Sequence, residues 1–406
     1  MKDAVKDKGA GAVVHDFARA ISPVSPETFF AEYFEKKHLV IKRDQPDYYR
    51  DLLTIEDIDH VITQTMVPSA NLQLVNNGNG IDVDDFTMPN GYVDPVRVSY
   101  QFARGSTVIL PQLHRSLPKL SSYCRSLETV FSCDLQTNIY LTPDNAQGFK
   151  THYDSHDVIV LQAHGSKTWK IYESPLELPL RSQAFDPKTF QAGKVIETFV
   201  LNAGDMAYIP RGVVHDAIAT DEVSLHITTG LLASRWVDVL VEAIVERALQ
   251  DPALRASIPP GFANDGFDKA GALETFAALM ARAVEGCDPQ RTLDGFAHEF
   301  RRRRLPVVPG QFLQSNAADA IGAGCAVSVR PGLIYTLSRR AKGDAEEVIL
   351  EVYGAEIAFP GFAEESLRAA MTLPQFTVGD LPGDLDEAGQ AVLARRLVRE
   401  GVMFRV

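Results

Sequence analysis

The chain runs to 406 residues, 45% hydrophobic and 23% charged, the make-up of a folded globular protein of two or three domains and not of a disordered or fibrous one. A formal net charge of −13 counts against direct nucleic-acid binding, whose footprint is basic, and favours encounter with a basic partner. No apolar run approaches the ~20 residues that span a bilayer, and Met1–Gly11 lacks the apolar core of a secretion signal, so the expectation is a cytoplasmic protein without membrane contact.

Val14 to Ile62 reads as helices with loops. Ser25-Pro26-Glu27-Thr28 supplies an N-cap and a proline at the first helical position, ahead of Phe29, Phe30, Tyr33 and Phe34. Leu39-Val40-Ile41 is a short strand. From about Leu72 to Gly230 the pattern changes to short β-branched and aromatic runs. Turn signals such as Asn76-Asn77-Gly78, Pro89-Asn90-Gly91, His164-Gly165-Ser166 and Ala203-Gly204-Asp205 separate them. One helical stretch, Leu117 to Phe131, interrupts the series. Many short strands at regular spacing predict an all-β barrel or double-sheet jelly roll, the architecture that includes cupins.

After Leu231 the helical period returns. Arg235–Leu249 carries an apolar stripe at Trp236, Val239, Leu240, Ile244 and Val245, and Ala272–Val284 is a second such segment. Arg301-Arg302-Arg303-Arg304 reads as a solvated helix end or linker, and Pro306–Gly310 as a linker. The last unit, from Phe312, has strands around Tyr335 and Val348–Tyr353. Its closing helix, Ala388–Glu400, stops at Gly401 before Val402-Met403-Phe404. Helices followed by a terminal hairpin suggest a winged-helix-like module. The cysteines Cys124, Cys133, Cys287 and Cys325 form no CxxC pair, and reduced, mostly buried thiols are expected.

Thr151-His152-Tyr153-Asp154 carries the chemistry. In an extended strand, residues two apart share a face. His152 and Asp154 then converge while Tyr153 turns away. An imidazole and a carboxylate are two-thirds of the facial triad that holds non-haem Fe(II) with positions left open. His-x-Asp is common by chance, so a third ligand has to raise the odds. Gly204-Asp205 through Pro210-Arg211-Gly212 to His215 reads as turn, strand, turn, strand, and a jelly roll can bring His215 beside the pair. His156 and His164 fit less well and are expected near the site or on the surface.

In Ser166–Tyr172, Lys167 shares a face with Trp169 and Ile171, whereas Lys170 sides with Thr168 and Tyr172. An inward lysine needs an anionic partner, which a dicarboxylic co-substrate would supply. A strand-start lysine reaching solvent is the alternative. Gln136, Asn138 and Tyr140 form one polar face, and Ser224, His226 and Thr228 another, together suggesting a polar pocket inside a barrel.

At these residues the chain resembles the JmjC-containing ribosomal oxygenases, the cupin-like protein hydroxylases. The matching text is Asn138-Ile139-Tyr140, Gln147-Gly148-Phe149, His152-Tyr153-Asp154, Gln162, Gly165, Lys167 with Trp169, Gly204-Asp205, Pro210-Arg211-Gly212 to His215, and Ser224–Thr228. It covers residues 25–232 most closely. The resemblance implies an α+β fold: a double-stranded β-helix (jelly-roll, cupin/JmjC) core with N-terminal helices in residues 1–232, a helical dimerisation region in 233–305, and a C-terminal winged-helix-like domain in 306–406. It implies Fe(II) on His152, Asp154 and His215. It also implies that 2-oxoglutarate, as co-substrate, has its distal carboxylate on Lys167, assisted by Asn138, Tyr140 and Thr228. The implied activity is O₂-dependent hydroxylation of a protein or peptide side chain, ribosomal proteins being the expected class, by a homodimer. Ser155-His156 stands where animal members carry acidic residues, which leaves the substrate open. An N-methyl demethylase, a small-molecule hydroxylase and a metal-binding cupin that recruits a partner remain alternatives.

Overall fold

The computed structural model describes residues 15–343 and 345–406, so the expectation for Met1–Gly11 lies outside the described residues. The chain divides into two compact units, Met1–Ala233 and Ser234–Val406.

The first unit opens with helices α1 (Phe17–Ile21) and α2 (Pro26–Glu32), strand β1 (Leu39–Ile41) and helix α3 (Ile55–Gln64). Ser25 caps α2 by accepting from the Thr28 amide, with Pro26 in the first turn. Strands β2 (Gln73–Asn76) and β3 (Asn79–Gly80), helix α4 (Pro95–Ala103), β4 (Thr107–Pro111) and helix α5 (Pro118–Phe131) follow. The sequence pattern missed α4, although its signal was present: Asp94 caps the amides of Val96 and Arg97, and Pro95 occupies the first turn.

The barrel strands are β5 (Asp134–Thr142), β6 (Asp157–His164), β7 (Ser166–Tyr172), β8 (Val195–Asn202), β9 (Met206–Ile209), β10 (His215–Ala219) and β11 (Ser224–Leu232). They form an eight-stranded sheet in the order β1-β9-β6-β11-β5-β4-β2-β3 and a three-stranded sheet β10-β7-β8. Period-two alternation sorts their side chains into two cores. Val158, Val160, Ala207 and Ile209 of the large sheet pack on Trp169, Ile171 and Leu201 of the small one. The opposite parity, Ile159, Leu161, Met206, Tyr208, Ile139 and Ile227, packs with the helices through Phe17, Phe29, Ile58 and Leu120. Strand β6 is buried on both faces, which is why it reads as an unbroken apolar run. The result is the α+β, JmjC/cupin-type arrangement that the sequence implied.

The second unit holds helices α6 (Trp236–Gln250), α7 (Lys269–Glu285), α8 (Pro289–Arg303) and α9 (Gln311–Ala317). The arginine block ends α8, where Arg301 pairs with Glu351 and Arg302 with Glu299. Strands β12 (Ala326–Val329), β13 (Tyr335–Lys342), β14 (Ala345–Val352) and β15 (Ala355–Pro360), helix α10 (Glu364–Thr372), β16 (Gln375–Thr377), helix α11 (Glu387–Arg399) and β17 (Met403–Arg405) complete it. The terminal strand does not close a hairpin. β17 pairs with β12 in the sheet β16-β12-β17, and the meander β13-β14-β15 is separate. Trp236, Leu240, Val241 and Leu249 of α6 are all exposed, and that helix buries no residue. The four cysteines are free, with Cys124 and Cys133 buried. No helix among the described residues is long and apolar enough to cross a membrane.

Candidate functional site

His215 opens β10, while His152 and Asp154 lie on the connection between β5 and β6. That connection is not the regular strand that period-two reasoning assumed. His152 meets His215 in an isolated antiparallel bridge, through His152 N–H to His215 O at 3.0 Å and His215 N–H to His152 O at 2.8 Å. The bridge puts the two imidazoles on one face, with ring centroids 4.6 Å apart. Gly212 N–H donates to Asp154 O at 2.9 Å and brings that carboxylate in, with Oδ2 3.8 Å from His215 Nε2. One ligand atom from each of His152, Asp154 and His215 lies within 4.8 Å of the other two.

Each ring is oriented in the same way. His152 Nδ1 meets Lys150 O at 2.7 Å and His215 Nδ1 meets Val213 O at 2.9 Å. A carbonyl only accepts, so each Nδ1 carries the proton and each Nε2 lone pair is free for a cation. Burial, and next the neighbouring His152, push the His215 pKa down to about 4, so the ring is neutral at neutral pH. Two imidazoles that present Nε2, together with a carboxylate, fit Fe(II) with open positions.

The turn that delivers His215 is braced. Arg211 is buried and its Nη1 donates to Asp157 Oδ2 at 2.9 Å, while the Tyr208 hydroxyl holds Asp157 Oδ1 at 2.8 Å. Gly212 sits at φ +85°, and a Cβ there would come 2.4 Å from Leu176 O. At Gly204, φ is +91° and a Cβ would come 2.0 Å from Gln45 O. The adjacent Asp205 carboxylate accepts from the amides of Arg43 and Asn202 and from Lys42 Nζ. Both glycines of the motif are thus required by backbone geometry, and its arginine and aspartate hold loops.

Behind the triad the barrel interior is polar. Asn138 pairs with Thr228, and Tyr140 with His226, in register across β5 and β11. The Tyr140 and His226 rings stack at 4.7 Å, 2° from parallel. Lys167 projects inward with Trp169, whose indole stacks on His215 at 5.8 Å. Lys167 is 3% exposed. It donates to Thr142 Oγ1 at 2.9 Å and has no ion pair among the described residues, and burial lowers its pKa to about 7. Asn138 Oδ1, Gln162 Oε1, Trp169 Nε1 and His226 Nδ1 are buried without a hydrogen-bond partner. A fold seldom leaves that many polar atoms unmet, and a polar ligand would satisfy them. Of the other histidines, His156 lies against Gly230 and His164 is exposed.

The sequence reading missed the aromatic rim. Phe149 and Phe185 approach the His152 ring at 5.8 and 6.1 Å. Phe185 also packs on Tyr153 and Phe190, and the Tyr153 hydroxyl donates to Gln183 O at 3.1 Å. Phe185 and Phe190 come from the 173–194 connection between β7 and β8, whose irregular sequence carries no periodic signal. Its length between two paired strands was the one available hint.

Comparison with known proteins agrees with this geometry. Residues 112–239 match the JmjC domain family. A bifunctional lysine-specific demethylase and histidyl-hydroxylase NO66 of Dictyostelium discoideum is 35% identical over 241 residues, 57% of this chain and 46% of that protein. The protein of the same name from Drosophila simulans is 32% identical over 327 residues, 75% of this chain and 38% of that protein. The chain spans less than half the length of these relatives. Among solved structures, the Escherichia coli ribosomal oxygenase YcfD superposes with a TM-score of 0.53 at 16% identity, covering 94% of this chain and 98% of that one. YcfD has also been solved with cobalt and 2-oxoglutarate. At that identity the likeness speaks for the fold. With the family match, the shared fold and the converged His-Asp-His triad together, residues 112–239 of this chain are a JmjC domain.

Proposed function

We propose that the protein is an Fe(II)- and 2-oxoglutarate-dependent oxygenase that hydroxylates a side chain of a protein or peptide. One observation carries the reading: a converged His-Asp-His triad stands beside a polar barrel interior that buries an ammonium with no anionic partner among the described residues. His152, Asp154 and His215 would hold the metal. Lys167 would pair with the distal carboxylate of 2-oxoglutarate, with Asn138, Tyr140 and Thr228 beside it. When bound, iron and 2-oxoglutarate supply the oxidising chemistry, in which O₂ is consumed, succinate and CO₂ are released and one oxygen enters a C–H bond.

The chain's own part is positional. The two Nδ1–carbonyl bonds hold both imidazoles as Nε2 donors. Trp169 covers the His215 ring, Phe149 and Phe185 pack on the His152 ring, and Lys167 would fix which end of the diacid faces inward. The names of the relatives favour a protein substrate, and the acidic balance of the chain suits a basic one, as ribosomal proteins are. Those names also keep demethylation open. A stable gain of one oxygen on the product, against release of formaldehyde, separates the two.

The exposed apolar stripe of α6 supports the 233–305 segment as a dimerisation region, and a core of its own, from Ala318 to Met403, supports a C-terminal module over 306–406; the winged-helix reading loses the terminal hairpin on which it stood. The deciding experiment measures succinate formed from 2-oxoglutarate with Fe(II) under air. Turnover is expected in the wild type and absent in His152→Ala and Asp154→Ala. Turnover retained in either variant refutes the ligand assignment, and none in the wild type refutes the oxygenase reading in favour of a metal-holding interaction protein.

A further inference from the structure

Thr151 directly precedes His152 and Asp216 directly follows His215, and the two oppose one another across the bridge that joins the histidines. Being one residue off in register, they lie on the face away from the candidate metal. Asp216 is 6% exposed. Its Oδ2 accepts two hydroxyls at 2.6 Å, Thr151 Oγ1 from the β5–β6 connection and the Tyr172 hydroxyl from the end of β7. It has no ion pair among the described residues, although Lys170 stands opposite it on β7. A single buried oxygen that accepts from two separate segments ties them together by geometry.

The connection needs an anchor here. Among the described residues, the segment between Asp134–Thr142 and Asp157–His164 is held by isolated bridges, Gln147 with Ile218 and His152 with His215, and by scattered backbone bonds to Asn77, Gly78, Gly212, Ala219 and Thr220. Thr151 sits between Lys150, whose carbonyl orients the His152 ring, and His152 itself. Fixing the Thr151 side chain therefore fixes both the ring and the carbonyl that selects its tautomer. Tyr172 is held in turn by its own backbone bond to Val214 O at 2.9 Å, next to His215.

We propose that Asp216 is a positioning residue: its carboxylate clasps the loop-borne His152 to the strand-borne His215 and thereby sets the affinity of the site for a divalent metal. The proposal rests on the metal reading given above. The clasp acts through orientation, so it depends on acceptor atoms and not on charge.

The test titrates Co(II) into the metal-free full-length chain, reading affinity by calorimetry and ligand field by visible absorption. Asp216→Ala and Thr151→Val are expected to weaken Co(II) by roughly 10- to 100-fold, the usual effect of removing a partner that orients a ligand, with an altered absorption band. Asp216→Asn, whose amide oxygen still accepts both hydroxyls, is expected to stay near wild type in both readouts. Thermal unfolding of the metal-free proteins checks folding, and Thr151→Val, which removes a single hydroxyl, decides the matter if Asp216→Ala does not fold. Wild-type affinity and spectrum in Asp216→Ala or Thr151→Val would overturn the clasp, as would an Asp216→Asn variant as weak as Asp216→Ala. A wild-type chain that takes up no Co(II) would instead overturn the metal reading itself, and the clasp with it.

Discussion

An ammonium sealed beside Trp169 with a threonine hydroxyl as its hydrogen-bond partner is an unusual thing for a folded chain to keep. Burial holds the Lys167 pKa at about 7, and a bound carboxylate would raise it. The sign follows directly. At pH 6 the free lysine is already charged and the diacid binds without proton exchange. At pH 8 it is mostly neutral, so binding must take up close to one proton, and affinity falls about tenfold per pH unit above 7. Calorimetry of 2-oxoglutarate binding in two buffers of different ionisation enthalpy reads this uptake. Lys167→Met is expected to weaken 2-oxoglutarate by roughly 10- to 100-fold, the worth of a charged hydrogen bond, while leaving Co(II) affinity of the metal-free protein unchanged. At this scale the sequence was informative. Side-chain parity set Lys167 and Lys170 on opposite faces, and the apolar Trp169 and Ile171 marked the Lys167 face as the inward one, which its burial bears out. It could not foresee Asp216 meeting Thr151 and Tyr172, since that contact depends on how a 14-residue connection, 143–156, lies against β10.

Among the elements, the barrel strands were legible where turn residues bound them, most firmly at Gly204 and Gly212, whose glycines have no substitute. Helix α4 was lost inside a region read as β, despite its Asp94-Pro95 cap. The final strand was assigned to a hairpin when its partner is β12, some 75 residues earlier, a pairing that local pattern cannot report. The connection between β7 and β8 was equally opaque, and it matters most for access. It is attached near the site through Phe185, Phe190 and the Tyr153 hydroxyl. Truncating both half-buried rings in Phe185→Ala/Phe190→Ala should cost this attachment on the order of 1–3 kcal/mol. Since nicking tracks the open population, limited proteolysis is expected to cut within 174–194 at least about fivefold faster than in the wild type, without faster cutting elsewhere.

For the molecule as a whole, the exposed stripe on α6 carries the expectation of self-association. Leu240 is 60% exposed and Trp236 73%, and large apolar side chains grouped on one helix mark an interface. Sedimentation velocity should give a dimer for the wild type and a monomer for Leu240→Asp, with metal binding retained. The outline of leading helices, barrel and a second unit that opens with helices was visible in the sequence because the hydrophobic period switches from 3.6 to 2 and back. How β6 serves two cores was not, although its unbroken Val-Ile-Val-Leu run was the trace of it. That doubly buried strand has a practical consequence for anyone trimming the protein. A fragment starting where the family match begins, at residue 112, would strip Phe17, Phe29 and Ile58 from the outer side of Ile159, Leu161 and Tyr208 and remove β1 from the edge of β9. The leading helices cover the outer face of the large sheet, and a minimal folded piece has to include them.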